Sequence, residues 1–246
     1  MRELRESVLQ IKETFKHIVN SGLLKPLHLK VYSTKAFGRE ITLDIRNIIS
    51  EPQIMFDVGA NIGQTVDLWN REFNSPTIHS FEPVKRLHAE LQKRVGDIAT
   101  CNHLGVGNKN EEITIHYGKH DVSHSFVYDD VGKGGETTRV VTLDSYCSQN
   151  KISHINVLKI DVEGFEHQVL EGADTLLREH RIDILEIEAG FDPNGYYTHY
   201  PELAANLLKL GYLTLGFYDQ TTQWDGRAEL LFCNVLFARK GLKFER

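Results

Sequence analysis

Short apolar runs that alternate with helix-like segments constrain the fold of this 246-residue chain more than any other feature. The runs occupy residues 53–58, 77–81, 100–104, 156–160 and 182–187, and helix patterns cover 84–95, 165–179 and 201–210. Strands that are covered by helices on both faces read as continuous apolar runs rather than as alternating ones. Because strands and helices alternate along the chain, we predict a doubly wound, mostly parallel α/β sheet.

The C-terminal part of the pattern differs, because the runs at 212–217 and 230–237 have no helix between them. Neighbouring strands that lack a crossover helix pair antiparallel. We therefore expect a Rossmann-like sheet of seven strands, of which five are parallel and the last two form an antiparallel hairpin. Within an insertion at 111–150, the segments 113–116 and 138–141 are expected to pair as two further strands.

The first 50 residues are predicted to be an accessory segment that precedes a single domain at 51–246. Apolar side chains recur every three or four residues within 3–20, which predicts an amphipathic helix. This helix either packs on the domain or forms the contact of a homodimer. Short strands are expected at 27–32 and 40–45.

Composition and charge limit the classes of function. The chain is 41% hydrophobic and 25% charged, as in ordinary soluble proteins. Its formal net charge of -6 argues against a nucleic-acid partner, which calls for clustered Lys and Arg. No apolar run is long enough for a membrane span, and the charged N-terminus lacks the core of a signal peptide. Three scattered cysteines read as reduced, buried thiols, so a cytoplasmic protein is expected.

A glycine-rich turn follows the first predicted strand, at Asp57–Thr65. Gly59 and Gly63 let the backbone turn sharply and approach a ligand, and the free N–H groups of the next helix face that ligand. The dinucleotide-binding pattern has three glycines, and this turn lacks the third. The carboxylate of Asp57 would repel a pyrophosphate, whereas it can meet the amino group of an amino-acid ligand. A tight turn without a ligand is the alternative.

Glu82 ends the second predicted strand and is followed by Pro83. A carboxylate at this point can accept hydrogen bonds from both ribose hydroxyls of an adenosine. Pro83 has the fixed φ that suits the first turn of a helix. Glu82 can also stabilise that helix through its dipole, and the two roles are compatible.

An unusual group of charges follows at Lys159, Asp161 and Glu163. Alternate residues of a strand point to one side, so these charges are expected together at the carboxyl edge of the sheet, where ligands bind in open α/β folds. A structural ion pair is the alternative, and Glu163 and Glu166 can also cap the next helix. Glu188 ends the neighbouring strand, and with Asp161 it can orient a hydroxyl or take its proton. A divalent metal between these carboxylates is a less favoured alternative, and we predict no metal site.

Five stretches of this sequence resemble the FkbM family of methyltransferases. They are FDVGANIGQT at 56–65, SFEP at 80–83, VTLDSY at 141–146, VLKIDVEGFEHQVLEGA at 157–173 and ILEIE at 184–188. The predicted sheet with its C-terminal hairpin is also that of class I methyltransferases. The resemblance implies an S-adenosylmethionine cofactor and O-methylation of a hydroxyl on a sugar, glycan or secondary metabolite.

The resemblance also implies a layout of the site. The methionine part of the cofactor is expected against Asp57, Gly59, Asn61 and Gly63. The ribose is expected at Glu82 and the methyl group opposite Asp161. The predicted cofactor contacts are completed by Ala60, Ile62, Thr65 and Pro83.

For the reaction, aligning the attacking oxygen with the methyl group supplies up to about 7–11 kcal/mol, and a general base supplies about 3–5 kcal/mol. We hypothesise that Asp161 orients the acceptor hydroxyl and accepts its proton, while Lys159 and Glu163 fix that carboxylate. Glu188 is a further catalytic candidate.

The acceptor, a small molecule or glycan, is expected under the aromatic segment 191–200. Candidate contacts are Tyr196, Tyr197, Tyr200, the more distant Trp224, and His124 from a Ser-rich stretch. Aromatic faces and hydroxyls suit a sugar or phenolic ring, although an ordinary aromatic-rich loop is the alternative. Two other classes of protein stay open: a nicotinamide-dependent oxidoreductase, disfavoured by the missing glycine, and a non-catalytic partner protein with a cofactor-binding fold.

Overall fold

The fold is built around one large sheet. A computed structural model describes residues 38–116, 135–222 and 228–243. The strands are β1 (Ile54–Val58), β2 (Thr77–Phe81), β3 (Ala99–Asn102), β4 (Gly105–Val106), β5 (Glu111–His116), β6 (Gly135–Val141), β7 (Ile155–Ile160), β8 (Ile182–Gly190), β9 (Tyr212–Thr222) and β10 (Leu230–Arg239). The helices are α1 (Ile41–Ile48), α2 (Gln64–Glu72), α3 (Lys85–Val95), α4 (Leu143–Asn150), α5 (Glu166–Glu171), α6 (Asp174–Arg178) and α7 (Tyr200–Lys209).

The large sheet has seven strands in the order β3-β2-β1-β7-β8-β10-β9. The first five of these are mutually parallel, β10 is antiparallel to β8, and β9 is antiparallel to β10. This confirms the predicted Rossmann-like α/β fold of class I methyltransferases with its C-terminal hairpin. The strand order reverses between β1 and β7, and ligands of such folds bind at the carboxyl ends of the strands beside this switch point.

The two faces of this sheet differ in chemistry. Phe56 and Leu158 lie on one face, within the main hydrophobic core. Successive residues of a strand point to opposite faces, so the other face receives Asp57 and Lys159. These two residues lie opposite each other on β1 and β7, and Lys159 lies opposite Glu186 on β8. The register therefore places Lys159 between Asp57 and Glu186 on one face of the sheet.

At the amino ends of β7 and β8, away from the carboxyl ends, a buried acid accepts three hydrogen bonds. Asp183, at the start of β8, is buried. Its carboxylate accepts hydrogen bonds from His154 at 2.7 Å, Asn156 at 3.0 Å and Arg239 at 2.6 Å. The three donors come from β7, the residues just before it, and β10, so this acid fastens neighbouring strands together.

The strand predicted at 40–45 is wrong, because these residues begin helix α1. The carboxylate of Glu40 accepts the N–H groups of Thr42 and Leu43 and so caps the helix. Ile41, Leu43 and Ile45 alternate like strand residues, which explains the error. The buried positions instead include 42, 45 and 48, which is helical spacing. Helix α1 belongs to the same compact unit as the sheet, and this unit begins at residue 38. The domain boundary predicted at residue 51 stays a prediction.

The single helix predicted at 165–179 is also wrong, since two short helices replace it. Gly172 ends α5, and a Cβ at this position would overlap the carbonyl oxygen of Gly107. The carboxylate of Asp144 then accepts the N–H groups of Thr175 and Leu176 in the first turn of α6. The break thus depends on groups from distant parts of the chain.

The insertion forms a small second sheet. β5 and β6 pair with each other, as predicted, and their pairing is antiparallel, while β4 adds a parallel neighbour to β6. Helix α4, which the sequence patterns did not predict, follows β6 and is capped by the hydroxyl of Thr142.

Several predictions fall outside the described residues, including the helix at 3–20 and the strand at 27–32. Within the described ranges, no helix is both long and apolar enough to cross a membrane. Cys147 and Cys233 are buried free thiols, whereas Cys101 is only partly buried.

Candidate functional site

A cavity of about 330 Å³ opens at the carboxyl ends of β1, β2 and β7. It brings together the three predicted motifs. Of the predicted site residues, those that line it are Gly59, Ala60, Asn61, Thr65, Glu82, Pro83, Lys159, Asp161 and Glu163. Sequence reasoning missed four further lining residues, which are Gln64, Val84, Leu87 and Val162. Val84 and Leu87 lie three residues apart at the start of α3, a helical spacing that is visible in the sequence.

The turn after β1 is held by its backbone. The N–H groups of Gly59 and Ala60 both donate to the carbonyl oxygen of Phe81, at 3.1 and 3.0 Å. Gly59 has a φ of 86°, and a Cβ there would overlap the backbone carbonyl of Asp161. Only glycine therefore lets the turn lie against the end of β7.

Three of the predicted cofactor contacts do not line the cavity, and these are Asp57, Ile62 and Gly63. Gly63 caps α2 with a φ of 90°, and a Cβ there would lie 3.0 Å from side-chain carbons of Leu91 and Val95. Ile62 packs against the small cluster that contains Val84 and Leu87. Both residues shape the wall of the cavity and neither lines it.

Glu82 ties the turn to the start of α3. Its Oε2 accepts the N–H of Asn61 and its Oε1 accepts the N–H of Val84, both at 2.9 Å. Asn61 has a left-handed φ of 48°. Burial raises the pKa of Glu82 to about 7, against the opposing effect of these two hydrogen bonds. The side chain still lines the cavity, so the structural role and ligand binding are compatible.

Asp57 lies beneath the turn and is fully buried. Among the described residues, neither of its carboxylate oxygens has a hydrogen-bond partner. Burial raises its pKa to about 6, although the neighbouring charge of Lys159 opposes this. A buried acceptor without a partner is unfavourable, and native proteins rarely keep one without a functional reason.

Lys159 is the one cation among the described lining residues of the cavity, and it is only 8% exposed. Its Nζ donates to Oδ2 of Asp161 at 2.8 Å. Burial lowers the pKa of Lys159, but the charges of Asp161, Asp57 and Glu186 outweigh burial and raise it above its ordinary value. For the buried Glu186, burial raises the pKa to about 7. The structural ion pair considered for this motif is therefore present, and it lines the cavity.

The turn after β7 is built by a buried acid. Glu166, which is 1% exposed, accepts the N–H groups of Val162 at 3.2 Å and Gly164 at 3.1 Å. It also accepts the hydroxyl of Thr198. Within this turn Glu163 has a left-handed φ of 56°. The sequence suggested capping by Glu166 but did not reveal Thr198, which lies 32 residues further along the chain.

The predicted acceptor residues separate into two groups. The hydroxyl of Tyr196 lies close enough to Glu163 to lower the pKa of that carboxyl, and the tilted rings of Tyr197 and Phe232 pack with centroids 4.5 Å apart. Burial and the charge of Glu188 raise the pKa of Tyr197 above its ordinary value. These tyrosines therefore stand beside the acids of the site.

Tyr200 lies elsewhere, with its hydroxyl 3.2 Å from that of Thr214 and its ring 5.0 Å from that of Phe217. It packs against the main core, so this placement favours a structural role. Glu188 does not line the cavity, but burial, together with Asp161 and Glu163, raises its pKa to about 9. His124 and Trp224 lie outside the described residues.

Two relatives are similar to the central part of the chain. The hexuronic acid methyltransferase AglP of Haloferax volcanii is 28% identical over 153 residues, which cover 58% of this chain and 59% of AglP. The 31-O-demethyl-FK506 methyltransferase FkbM of Streptomyces tacrolimicus is 26% identical over 190 residues, which cover 63% of this chain and 71% of that protein. The chain thus spans less than two thirds of AglP.

A solved structure supports the fold. The methyltransferase FkbM from Methylobacillus flagellatus KT superimposes with a TM-score of 0.51 at 19% identity, over 76% of this chain and 43% of that one. Residues 57–214, well over half of the chain, match the Methyltransferase FkbM domain. This matched region contains the glycine turn, Asp57 near the end of β1, Glu82 after β2, and the charged end of β7. The chain belongs to the FkbM methyltransferase family.

Proposed function

We propose that this protein is an S-adenosylmethionine-dependent methyltransferase that transfers a methyl group to a hydroxyl oxygen of a sugar, glycan or secondary metabolite. One observation carries the proposal: a single cavity is lined by the backbone turn and Glu82 on the β1–β2 side and by Lys159, Asp161 and Glu163 on the β7 side. Membership in the FkbM family supports the same activity.

The donor groups of the site fit this cofactor. When bound, S-adenosylmethionine supplies a methyl group that its cationic sulfonium activates. Asp57 would hold the ammonium group, because its buried oxygens have no partner among the described residues. Glu82 would hold the ribose hydroxyls, because each oxygen keeps a lone pair after accepting one backbone N–H. The backbone of Gly59 and Asn61 would lie along the amino-acid part.

The charge balance favours a cationic ligand over a dinucleotide. Asp57, Asp161 and Glu163 surround Lys159, whose ammonium already donates to Asp161. A pyrophosphate would meet uncompensated carboxylates there, whereas a sulfonium would be attracted. This supports a methyltransferase over a nicotinamide-dependent oxidoreductase.

The proposed acceptor class comes from the relatives, which act on a hexuronic acid and on 31-O-demethyl-FK506. Tyr196 and Tyr197 would supply flat faces and hydroxyls for such a molecule beside Glu163 and Glu188. The residues of the cavity would act mainly by aligning the acceptor oxygen, because alignment contributes up to about 7–11 kcal/mol and a base about 3–5 kcal/mol.

Calorimetry with S-adenosylmethionine and with NAD tests the cofactor. We expect the protein to bind S-adenosylmethionine, and we expect Glu82→Gln to weaken this binding about 10- to 100-fold through weaker ribose hydrogen bonds. Glu90→Gln is a matched control, since Glu90 lies on the exposed surface of α3 in a pair with Arg86. Binding of NAD with no affinity for S-adenosylmethionine would overturn the proposal.

Transfer of a labelled methyl group to a panel of glycans and polyketide or phenolic alcohols tests the reaction. We expect label on an acceptor oxygen, and we expect S-adenosylhomocysteine to form in equal amount. Binding of S-adenosylmethionine without transfer to any acceptor would instead support the alternative of a non-catalytic partner protein.

A further inference from the structure

We propose that Glu163, rather than Asp161, accepts the proton of the acceptor hydroxyl, and that the buried pair of Glu166 and Thr198 positions it. This inference rests on the proposed methyl transfer. It assigns the proton to a different carboxylate from the one that the sequence pattern favours.

The ion pair of Asp161 argues against a role as proton acceptor. Lys159 is almost fully buried and donates to Oδ2 of Asp161 at 2.8 Å. A proton placed on Asp161 would remove the closest counter-charge of a buried ammonium, and breaking a buried ion pair is strongly unfavourable. Asp161 is therefore better suited to stay ionised and to attract a cationic ligand.

The backbone of Glu163 is unusual for a residue that has a side chain. Its φ of 56° is left-handed, a conformation in which a Cβ crowds the backbone. Strain of this kind persists where the surroundings fix it, and it concentrates at functional sites. The next residue, Gly164, has a φ of 92°, and a Cβ there would lie 2.8 Å from the carbonyl oxygen of Tyr196. The turn is thus tightly packed, and the strained residue within it lines the cavity.

Glu166 holds this turn in place. It accepts the N–H groups on both sides of Glu163, from Val162 and Gly164, and it accepts the hydroxyl of Thr198 from the segment that follows β8. The hydroxyl of Tyr196, in the same segment, lies close enough to Glu163 to lower the pKa of its carboxyl. The β8–α7 segment therefore contacts the turn through the hydroxyl of Thr198 and the backbone of Tyr196, so it fixes the backbone that carries Glu163.

The charges around Glu163 suit a group that binds and releases a proton. Burial raises its pKa to about 7, and the charges of Asp161 and Glu166 add to this effect. The nearby hydroxyl of Tyr196 and the charge of Lys159 oppose it. From β8 and the segment after it, Glu188 and Tyr197 also face this group. A base is most effective when its pKa lies near the working pH.

The proposed step balances without another reactant. An electron pair of the acceptor oxygen forms the new oxygen–carbon bond to the methyl group. The carbon–sulfur bond breaks with its electrons remaining on sulfur, which becomes a neutral thioether. The hydroxyl proton moves to a carboxylate oxygen of Glu163 and leaves to water after the products depart.

The test compares Glu163→Gln with Asp161→Asn, using an acceptor that the wild-type protein methylates. Wild-type kcat/KM is expected to rise with pH to a plateau above about 7, because the proton acceptor must be ionised. Glu163→Gln should lower kcat/KM about 10²- to 10⁴-fold and abolish this rise, while calorimetry shows a smaller loss of affinity for S-adenosylmethionine than in Asp161→Asn. Asp161→Asn should weaken that affinity and keep the pH-dependent rise.

A measurement without turnover accompanies the kinetics. Infrared difference spectra of the protein between pH 6 and 8, which bracket the Glu163 pKa of about 7, should contain a carboxyl band that Glu163→Gln removes. Glu163→Gly guards against misfolding, since glycine relieves the left-handed strain. It should melt at a higher temperature than the wild type and lose turnover to the same extent as Glu163→Gln.

Thr198→Val tests the positioning role. It should lower kcat with KM unchanged, and Thr198→Ser should restore kcat. Thr214→Val, which removes the hydroxyl 3.2 Å from that of Tyr200, should leave kcat unchanged. A Glu163→Gln enzyme that keeps wild-type turnover and its pH-dependent rise would overturn the inference and leave the methyltransferase proposal standing. A wild-type protein that binds the cofactor but methylates no acceptor would overturn both.

Discussion

The turns after β1 and after β7 meet at the same cavity, and they are built in opposite ways. The first relies on glycines and backbone hydrogen bonds, with Gly59 at a φ of 86° against the end of β7. The second relies on a buried acid, Glu166, that accepts two N–H groups and a hydroxyl. Each contains one left-handed residue other than glycine, Asn61 in the first and Glu163 in the second.

In the proposed reaction, this difference separates cofactor binding from proton transfer. A turn made of glycines and backbone hydrogen bonds lets a ligand approach closely, but it has no group that can move a proton. A turn clamped by a buried carboxylate can hold a second carboxylate in a conformation that it would otherwise avoid. The comparison leads to three predictions in order of decreasing effect.

The largest effect is expected from Gly59→Ala. The added Cβ would overlap the carbonyl of Asp161 in a left-handed backbone, so unfolding free energy should fall by about 3 kcal/mol or more. Gly241→Ala is the matched control. Gly241 has a φ of 97°, and a Cβ there would meet no described atom within 4 Å, so the free energy of unfolding should fall by only about 1 kcal/mol. Urea denaturation measures the free energy of unfolding of both variants. Equal losses would show that the turn after β1 does not depend on the close contact between Gly59 and Asp161.

Asp57→Asn is expected to stabilise the cofactor-free protein at neutral pH. The pKa of Asp57 is about 6 in the folded protein and 3.8 ordinarily, so its favourable contribution is complete below pH 3.8 and is lost as pH rises through about 6. Above pH 6 the variant should be more stable by up to about 3 kcal/mol, and it should bind S-adenosylmethionine more weakly.

Asp183→Asn is the control for this variant, since Asp183 is buried with three donors. Its free energy of unfolding should fall by about 2 kcal/mol, whereas that of Asp57→Asn should rise. Denaturation measured below pH 3.8 and above pH 6 distinguishes the expected gain of Asp57→Asn from the expected loss of Asp183→Asn. A destabilised Asp57→Asn protein would mean that Asp57 is not an unsatisfied acid.

The smallest effects compare the two left-handed residues directly. Glu163→Gly should raise unfolding free energy by about 1 kcal/mol, because glycine removes the steric penalty of its Cβ. Asn61→Gly should raise the free energy of unfolding by only a few tenths of a kcal/mol, since asparagine tolerates the left-handed conformation better than glutamate does. Thermal melts measure both, and equal gains would remove the argument that strain is concentrated in the second turn.

Local patterns were sufficient to predict the strands and the charged edge. The apolar runs located the strands of the large sheet to within a few residues, apart from longer ends on β8 and β9, because the central strands β1, β7 and β8 are buried on both faces. Alternation along β7 predicted that Lys159 and Asp161 lie together, as they do at 2.8 Å. Each of these features depends on neighbours in sequence.

The features that escaped prediction depend on contacts across the chain. The break between α5 and α6 requires the carbonyl of Gly107 and the carboxylate of Asp144. The contact of Thr198 with Glu166 joins two elements separated by β8. Tyr200 shares its segment with Tyr196, yet its ring faces the core, because the start of α7 turns it toward Phe217. Composition of a segment does not reveal which of its aromatic rings is buried.

The row of Asp57, Lys159 and Glu186 also bears on how the sheet assembles. β7 enters between β1 and β8 and brings the cation that both of their acids face. A misassembled sheet in which β1 pairs directly with β8 would bury two carboxylates side by side without a counter-ion. The order of the central strands is therefore selected by electrostatic repulsion as well as by apolar packing, and competing arrangements of the same strands are raised in energy.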